Sequence, residues 1–383
     1  MRLIEEAPSL NMGHIEGDSL CKSFDLYNLV DIPHRYVNQS KSESEIDNWG
    51  VLLVEEIKTL EKKDVIILLN VDEDAQPNDQ IYWCNSLTKH LNKTSLNYVI
   101  LTNSTFKYAD DYDRVISLLW FLHSTISVYP KDIIDHSPWK STNTNVLFVP
   151  GKPWKEMRLP ALYYFLRSNL QHDLKYSCIS FEEMMLVDPN CRYDLQLLES
   201  WNVVYGNQTK SYNINEVRAV LNELAKELDG QWNWFWNDRL LHPTMYSDVG
   251  VEIVAETDHR SNQHITEKTY KPIVLGYPFV YIHSTFIPPI ISQGFKVYQQ
   301  TACVYRNNKD WKNEFETCVE NIEKVLNNMD GEYMESTIKH NQQHAMDLHQ
   351  EAINNIAKII PGFEEYAREI FSRNIELHSE THA

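Results

Sequence analysis

The stretch Ile265 to Tyr281, ITEKTYKPIVLGYPFVY, gathers more groups able to do chemistry than any other part of the chain. Thr266 stands where a helix N-cap belongs, and Glu267 opens the helix, where a negative charge is favoured. Lys268 and Lys271 follow within the first turns. Pro272, past the first turn, should kink the helix, and Gly276 should end it. Tyr277 to Ile282 then reads as a buried strand. Upstream, Val251 to Glu256 reads as a strand with an acid at its end. A strand ending in Glu256, a loop and a new helix N-terminus together make a pocket for a phosphate-bearing ligand. The helix N–H groups, the dipole and Lys268 would attract a diphosphate. Glu256 or Glu267 would accept hydrogen bonds from ribose hydroxyls. On spacing alone, an ordinary surface helix with a capped start is the commoner explanation of these residues.

Other candidates are weaker. Asp72-Glu73-Asp74 follows the apolar run VIILLN and has the D-x-D form that holds a divalent cation in some enzymes; an acidic solvated turn explains it more simply. His340, His344 and His349 fall on a helical stretch, the first two at i, i+4, but no H-E-x-x-H pattern completes a zinc site, so a solvated helix face is expected. His259 and His264 flank the proposed pocket and read as loop histidines. Trp232, Trp234 and Trp236 alternate and would share one face of an extended segment, for packing or for stacking on a sugar or base. No G-x-S-x-G elbow, P-loop or dinucleotide fingerprint is present.

Positioning these residues takes a chain of 383 residues, more than one core usually serves. It is 43% hydrophobic and 11% aromatic, enough for sizeable cores. The formal charge of −19 opposes unspecific binding to nucleic acid or anionic membrane, though not a local basic groove. Six scattered cysteines without C-x-x-C spacing, and an acidic N-terminal stretch without a secretory pattern, lead to an expectation of free thiols in a cytoplasmic setting. No apolar run reaches the roughly 20 residues of a membrane span.

Buried strands are expected at Val65 to Asn70, Ser95 to Thr102, Val146 to Val149, Ser177 to Phe181, Val251 to Glu256, Tyr277 to Ile282 and Lys296 to Tyr305, with helices between them near Asn48 to Glu61, Ile81 to Leu91, Arg114 to Ile126, Leu159 to Asn169 and Val217 to Leu228. Residues 1–50 read as irregular with one strand. The alternation predicts an α/β fold of two domains: 1–140, then 145–306 after a polar linker at Ser137 to Asn145, then helices over 307–383 that pack back on the first domain. Pro361-Gly362 should separate the last two of those helices.

Two segments in the right order carry a family resemblance. VEIVAET…ITEKTYKPIVLGYPFVY resembles the C-terminal domain of GT-B glycosyltransferases, above all a phage and algal-virus family with the core "ETxF…lTEKTFKPIxxGhPFI"; the "TEK" segment of α1,3-fucosyltransferases is a more distant parallel. The matching residues are Glu256, Thr257, Thr266, Glu267, Lys268, Lys271, Pro272, Gly276, Pro278 and Phe279, with Gly294-Phe295-Lys296 behind them. VLFVPGKPWKEMRLPALYYFL is similar to the family's strand, basic "R-x-H-R" turn and helix, with Met157 where the family has His. The resemblance covers about Val146 to Val297. It implies two Rossmann-like domains and transfer of a sugar from a nucleotide-sugar donor to a hydroxyl acceptor, with no metal and no further cofactor. It makes Arg158, Glu256, Thr266, Glu267, Lys268 and Lys271 donor-binding residues, with Lys268 and Arg158 neutralising the leaving diphosphate. The acceptor stays open between a glycan, a protein, a small molecule and a hydroxymethylated base of viral DNA. An inverting transfer needs a base; Asp72 and Asp111 are candidates at expected strand ends. The rivals are a metal-dependent GT-A enzyme using Asp72 and Asp74, and a non-catalytic binding protein with a glycosyltransferase-like shell.

Overall fold

A computed structural model provides the structure of the chain. It describes residues 21–23, 28–32, 42–59, 63–69, 77–102, 113–129, 139–150, 157–187, 193–206, 211–226, 243–256, 265–298, 311–328, 330–368 and 370–371. The fold is mixed α/β with parallel sheets. The chain forms two compact units, Met1–His123 with His349–Phe371, and Ser124–Leu348 with Ser372–Ala383. No helix among the described residues is long and apolar enough to cross a membrane.

The first unit holds strands β1 (Cys21–Ser23) and β2 (Asn28–Ile32), helix α1 (Glu43–Ile57), β3 (Asp64–Leu69), α2 (Pro77–Leu91), β4 (Asn97–Thr102), β5 (Val115–Ser117) and the start of α3 (Trp120–Val128). The sheet order is β1-β2-β3-β4-β5, with β1 antiparallel and the rest parallel. Side chains alternate across a strand, so each strand feeds two cores. Val65, Ile67, Leu69, Tyr98 and Ile100 pack with residues of α1 and α2. Ile66, Leu68, Val99 and Leu101 face the other way, onto Ala352, Ile356, Ile360, Phe363, Ala367, Ile370 and Phe371 from the far end of the chain. That double burial is why VIILL and YVIL read as continuous apolar runs. Ser42 and Glu45 close a capping box at the start of α1.

The second unit holds the rest of α3, then β6 (Asn145–Phe148), α4 (Arg158–Phe165), β7 (Leu174–Tyr176), α5 (Phe181–Val187), α6 (Tyr193–Tyr205), α7 (Ile214–Leu224), β8 (Val249–Val254), α8 (Glu267–Leu275), β9 (Phe279–Tyr281), α9 (Ile287–Ser292), α10 (Trp311–Asn328) and α11 (Gly331–Ala357) as far as Leu348. Its sheet is wholly parallel, in the order β7-β6-β8-β9. From β6 the chain moves outward to β7, then returns to the other side of β6 for β8 and β9. The direction of winding therefore reverses between β6 and β8, and parallel sheets bind ligands at the carboxyl ends of strands flanking such a reversal.

Several expected elements take a different form. Residues 115–117, expected within a helix, are strand β5, because Val115 to Ser117 pair with Ile100 to Thr102; the helix begins only at Trp120. The strand expected at Ser177 to Phe181 lies earlier, at Leu174–Tyr176, where it pairs with β6; Cys178 makes only a single bridge to Lys226. Lys296 to Tyr298 are not strand, and 299–305 lie outside the described residues. Among the described residues of 1–50 there are two strands, β1 and β2, where one was expected. Helix α6 was not expected, although Leu197, Trp201 and Val204 are buried at helical spacing. The polar stretch read as a linker is docked: Trp139 Nε1 donates to the Gly250 carbonyl at 3.0 Å and Asn143 Nδ2 to that of Val249 at 3.1 Å.

Candidate functional site

Helix α8 begins as its sequence dictates. Thr266 is the N-cap, with extended backbone and a hydroxyl accepting from the Lys268 N–H. The other end closes as a Schellman motif: Gly276 takes φ 77°, its N–H reaches the Ile273 carbonyl, and the Tyr277 N–H reaches that of Pro272. Pro272 sits inside the helix and cannot donate to the Lys268 carbonyl. The setting, however, is not that of a surface helix. Every residue from Glu267 to Leu275 is buried, including Glu267, Lys268, Thr269 and Lys271. Charges are seldom placed so deep unless they are paired or used.

The start of α8 is tied to the end of β8 by one carboxylate. Glu256, 1% exposed, accepts from the Thr266 N–H at 3.1 Å and the Thr269 hydroxyl at 2.5 Å on Oε1, and from the Thr266 hydroxyl at 2.5 Å on Oε2. Thr269 also meets the Tyr281 hydroxyl of β9 at 3.0 Å. Burial raises the Glu256 carboxyl above its ordinary range, opposed by the Lys268 charge and the two threonine hydrogen bonds. Glu256 thus acts first as the tether that fixes the helix N-terminus at the strand end. Thr269 and Tyr281, which complete the tether, were missed in the sequence; the readable signal was the Thr266–Thr269 spacing, which puts both hydroxyls on one side of the first turn.

Glu267 and Lys268 lie beside this tether, with Lys268 Nζ 2.8 Å from Glu267 Oε1. Lys271 does not join them. It is 1% exposed and pairs at 2.9 Å with Glu252, in the middle of β8; Tyr246 donates to the other Glu252 oxygen at 2.5 Å. Burial, then the Glu252 charge, holds the Tyr246 phenol well above its usual value, so it stays a donor. Lys271 therefore serves helix–sheet packing in this geometry.

Arg158 reaches the same edge of the sheet from the β6 side. It is 1% exposed and donates from Nη1 to the Pro150 carbonyl at 2.8 Å. Leu147 is in register with Glu252, which puts Pro150 about level with Ala255. Met157, just before it, adopts a left-handed φ of 65° and is buried, an unfavourable conformation for a side chain of this size and one that sets the entry angle of α4. Arg158, Glu256 and the α8 N-terminus thus border the carboxyl ends of β6 and β8, where the winding reverses.

Helix α11 braces the site from below. Asn341, 1% exposed, accepts from the Lys296 N–H at 2.8 Å and donates to the Lys296 carbonyl at 2.9 Å. Gln342 donates to the Val274 carbonyl at 3.1 Å. His344 and His340 donate from Nε2 to the Gln293 and Gly294 carbonyls, at 2.7 and 3.2 Å, beyond the end of α9. These two histidines satisfy helix-terminal carbonyls instead of lining a solvated face. His349 lies in the first unit, with its Nδ1 3.1 Å from that of His123.

Asp72, Asp74, Asp111, His259, His264 and the three alternating tryptophans lie outside the described residues. Among the described residues, no group of three or more His, Cys, Asp or Glu side chains is arranged to hold a metal ion. Comparison with protein-family models, with curated proteins and with solved structures returned no match.

Proposed function

We propose that the chain is a GT-B-type glycosyltransferase that moves a sugar from a nucleotide-sugar donor to a hydroxyl group. The observation that carries this reading is the helix N-terminus of α8, buried and tethered by Glu256, at the carboxyl edge of a parallel sheet where its winding reverses. Such a place favours an anionic, phosphate-bearing ligand. The resemblance of the Val146 to Val297 segments to glycosyltransferase donor domains supports the same conclusion. The two parallel sheets would then belong to two Rossmann-like domains, with the second unit holding the donor.

Under this reading Lys268, Arg158 and the α8 N–H groups neutralise the departing nucleoside diphosphate. Fixed cations and dipoles need no reorganisation as charge develops. Thr266 and Glu256 act through position, holding the helix start in place. Glu267 orients Lys268 and, under this reading, its carboxylate accepts from a ribose hydroxyl of the donor. Lys271 keeps α8 seated on β8. The acceptor is a glycan, a protein, a small molecule or a hydroxymethylated base, and an inverting transfer would take its base from the acidic residues Asp72 or Asp111.

The test is a thermal-shift panel of UDP-, GDP-, ADP- and CMP-sugars on the intact chain. One donor class should raise Tm, since a ligand of the native state stabilises it. Lys268→Ala should lower the unliganded Tm, because Glu267 loses a buried partner, yet still unfold cooperatively, and should weaken that donor at least ~10-fold, as expected on losing a charge-assisted contact. Wild-type affinity in Lys268→Ala would remove this site assignment. No shift with any donor would favour the non-catalytic shell, and transfer abolished by EDTA would favour the metal-dependent rival built on Asp72 and Asp74.

A further inference from the structure

The first unit gives up the chain after His123, takes it back at His349 and ends at Phe371. These three residues touch one another. The His123 and His349 rings lie 5.2 Å apart, His123 stacks on Phe371 at 5.0 Å, and His349 meets Phe371 at 5.5 Å. The two imidazoles also share a hydrogen bond, Nδ1 to Nδ1, at 3.1 Å. His123 is 2% exposed. Such a bond needs one ring to donate its Nδ1 proton and the other to accept with a bare Nδ1. If the acceptor ring is protonated, both nitrogens become donors, the bond is lost, and a cation is left in a buried, apolar place.

Among the described residues of the first unit, no acidic or basic side chain is buried beside the two rings to stabilise that cation. Among the described residues, α3 carries no charged side chain, and the charged groups from Asp347 to the end of the last helical segment are Asp347, Glu351, Lys358, Glu364, Glu365 and Arg368; all are exposed, with Asp347 two residues before His349. The sheet face that these elements cover presents Ile66, Leu68, Val99 and Leu101, with Ile116 and Leu118 beside them, all apolar. Burial lowers both imidazoles, His123 well below its ordinary value with help from His349, and His349 to about 4.

We propose that the His123–His349–Phe371 ring cluster is a proton-operated fastener that holds residues 349–371 on the sheet of the first unit and releases them on acidification. The sign follows from linkage. A histidine held below its unfolded value binds protons more readily once the segment opens, so closure is fully favoured above about pH 6.5 and weakens as pH falls toward 4. The Asn97 Nδ2 contact to the Ile359 carbonyl, at 2.7 Å, pins the same segment at its middle and does not titrate. The fastener therefore governs mainly the two ends of the segment, 349–353 and 366–371. The device rests on rings within the first unit and does not depend on the proposed donor site.

Hydrogen exchange on the intact chain tests it, comparing pH 7.5 with pH 5.0 after correction for the intrinsic rate. Opening of 349–353 and 366–371 should rise at least ~10-fold at pH 5.0, while α1 (residues 43–57) keeps its protection. In the double variant His123→Asn, His349→Asn, which offers amides where Nδ1 lay, that rise should vanish. An unchanged wild-type segment, or equal opening of α1, overturns the proposal. If the double variant fails to fold, ring titration in the wild type by NMR decides: both imidazoles should stay neutral well below pH 6, and either one titrating at its ordinary value overturns the proposal.

Discussion

Thr266 carries more than its place in the sequence announces. Its hydroxyl caps α8 and donates to Glu256, and its N–H donates to the same carboxylate. Thr266→Ala should cost about 2–4 kcal/mol: roughly 1 for the cap and the rest for a buried carboxylate left short of a donor. Thr266→Ser should recover most of it; urea unfolding measures both, and equal losses in the two variants would contradict the tether. The cap itself was legible, because a Thr-Glu pair before an apolar run and a Gly after it act locally. Its partner was not. The bond to Glu256 joins positions ten residues apart, from a strand end to a helix cap, which no local pattern records. Lys271 was misplaced for a related reason. Its charge drew attention to the helix mouth, whereas its position four residues along carries it to Glu252 in the sheet.

At the scale of elements, α11 is the brace. Its residues 340–344 meet backbone groups at the ends of α8 and α9, and Gly294, at φ 92°, lies so close to His344 that a Cβ there would approach Nε2 to 2.4 Å. Asn341→Ala would leave the Lys296 N–H and carbonyl without their partner and should lower stability by about 1–2 kcal/mol, the range for two partly exposed backbone groups. A urea midpoint equal to wild type would show that water replaces the amide in full. The elements themselves were largely readable where one pattern ruled: the double-sided strands β3 and β4, the capped α8, and the amphipathic α10. Elements were missed where pairing overrode local preference, as in β5, or where the apolar face was short, as in α6 with Leu197, Trp201 and Val204, whose Trp201 packs against Tyr163, Tyr205 and Tyr212.

For the molecule as a whole, the decisive fact is that the first unit is built from both ends of the described chain. Removing residues 349–383 would uncover Ile66, Leu68, Val99 and Leu101 together. The truncated protein should bind a hydrophobic dye such as ANS strongly and lose protease resistance in β3 and β4, even with α1 and α2 still present on the other face. A soluble, dye-silent truncation would mean that the C-terminal cover contributes little. The sequence did announce terminal helices with a break at Pro361-Gly362 and placed all of 307–383 on the first domain, whereas α10 and α11 as far as Leu348 belong to the second unit. It did not announce which face they cover, because an apolar stripe specifies that something must be buried but not the partner.

That interleaving has a consequence for biosynthesis. A ribosome emits His123 about 250 residues before Phe371, which at roughly 5–20 residues per second is a wait on the order of 12–50 s. Throughout it, one face of the nascent sheet has no cover of its own, and the half-built unit has two apolar strands to offer to any neighbour. Completion then falls to residues 349–371, made long after the strands they cover, and the ring cluster around His123 is where that segment's two ends arrive. The yield of folded protein should therefore be set by translation speed and by holdase chaperones as much as by the stability of the finished fold.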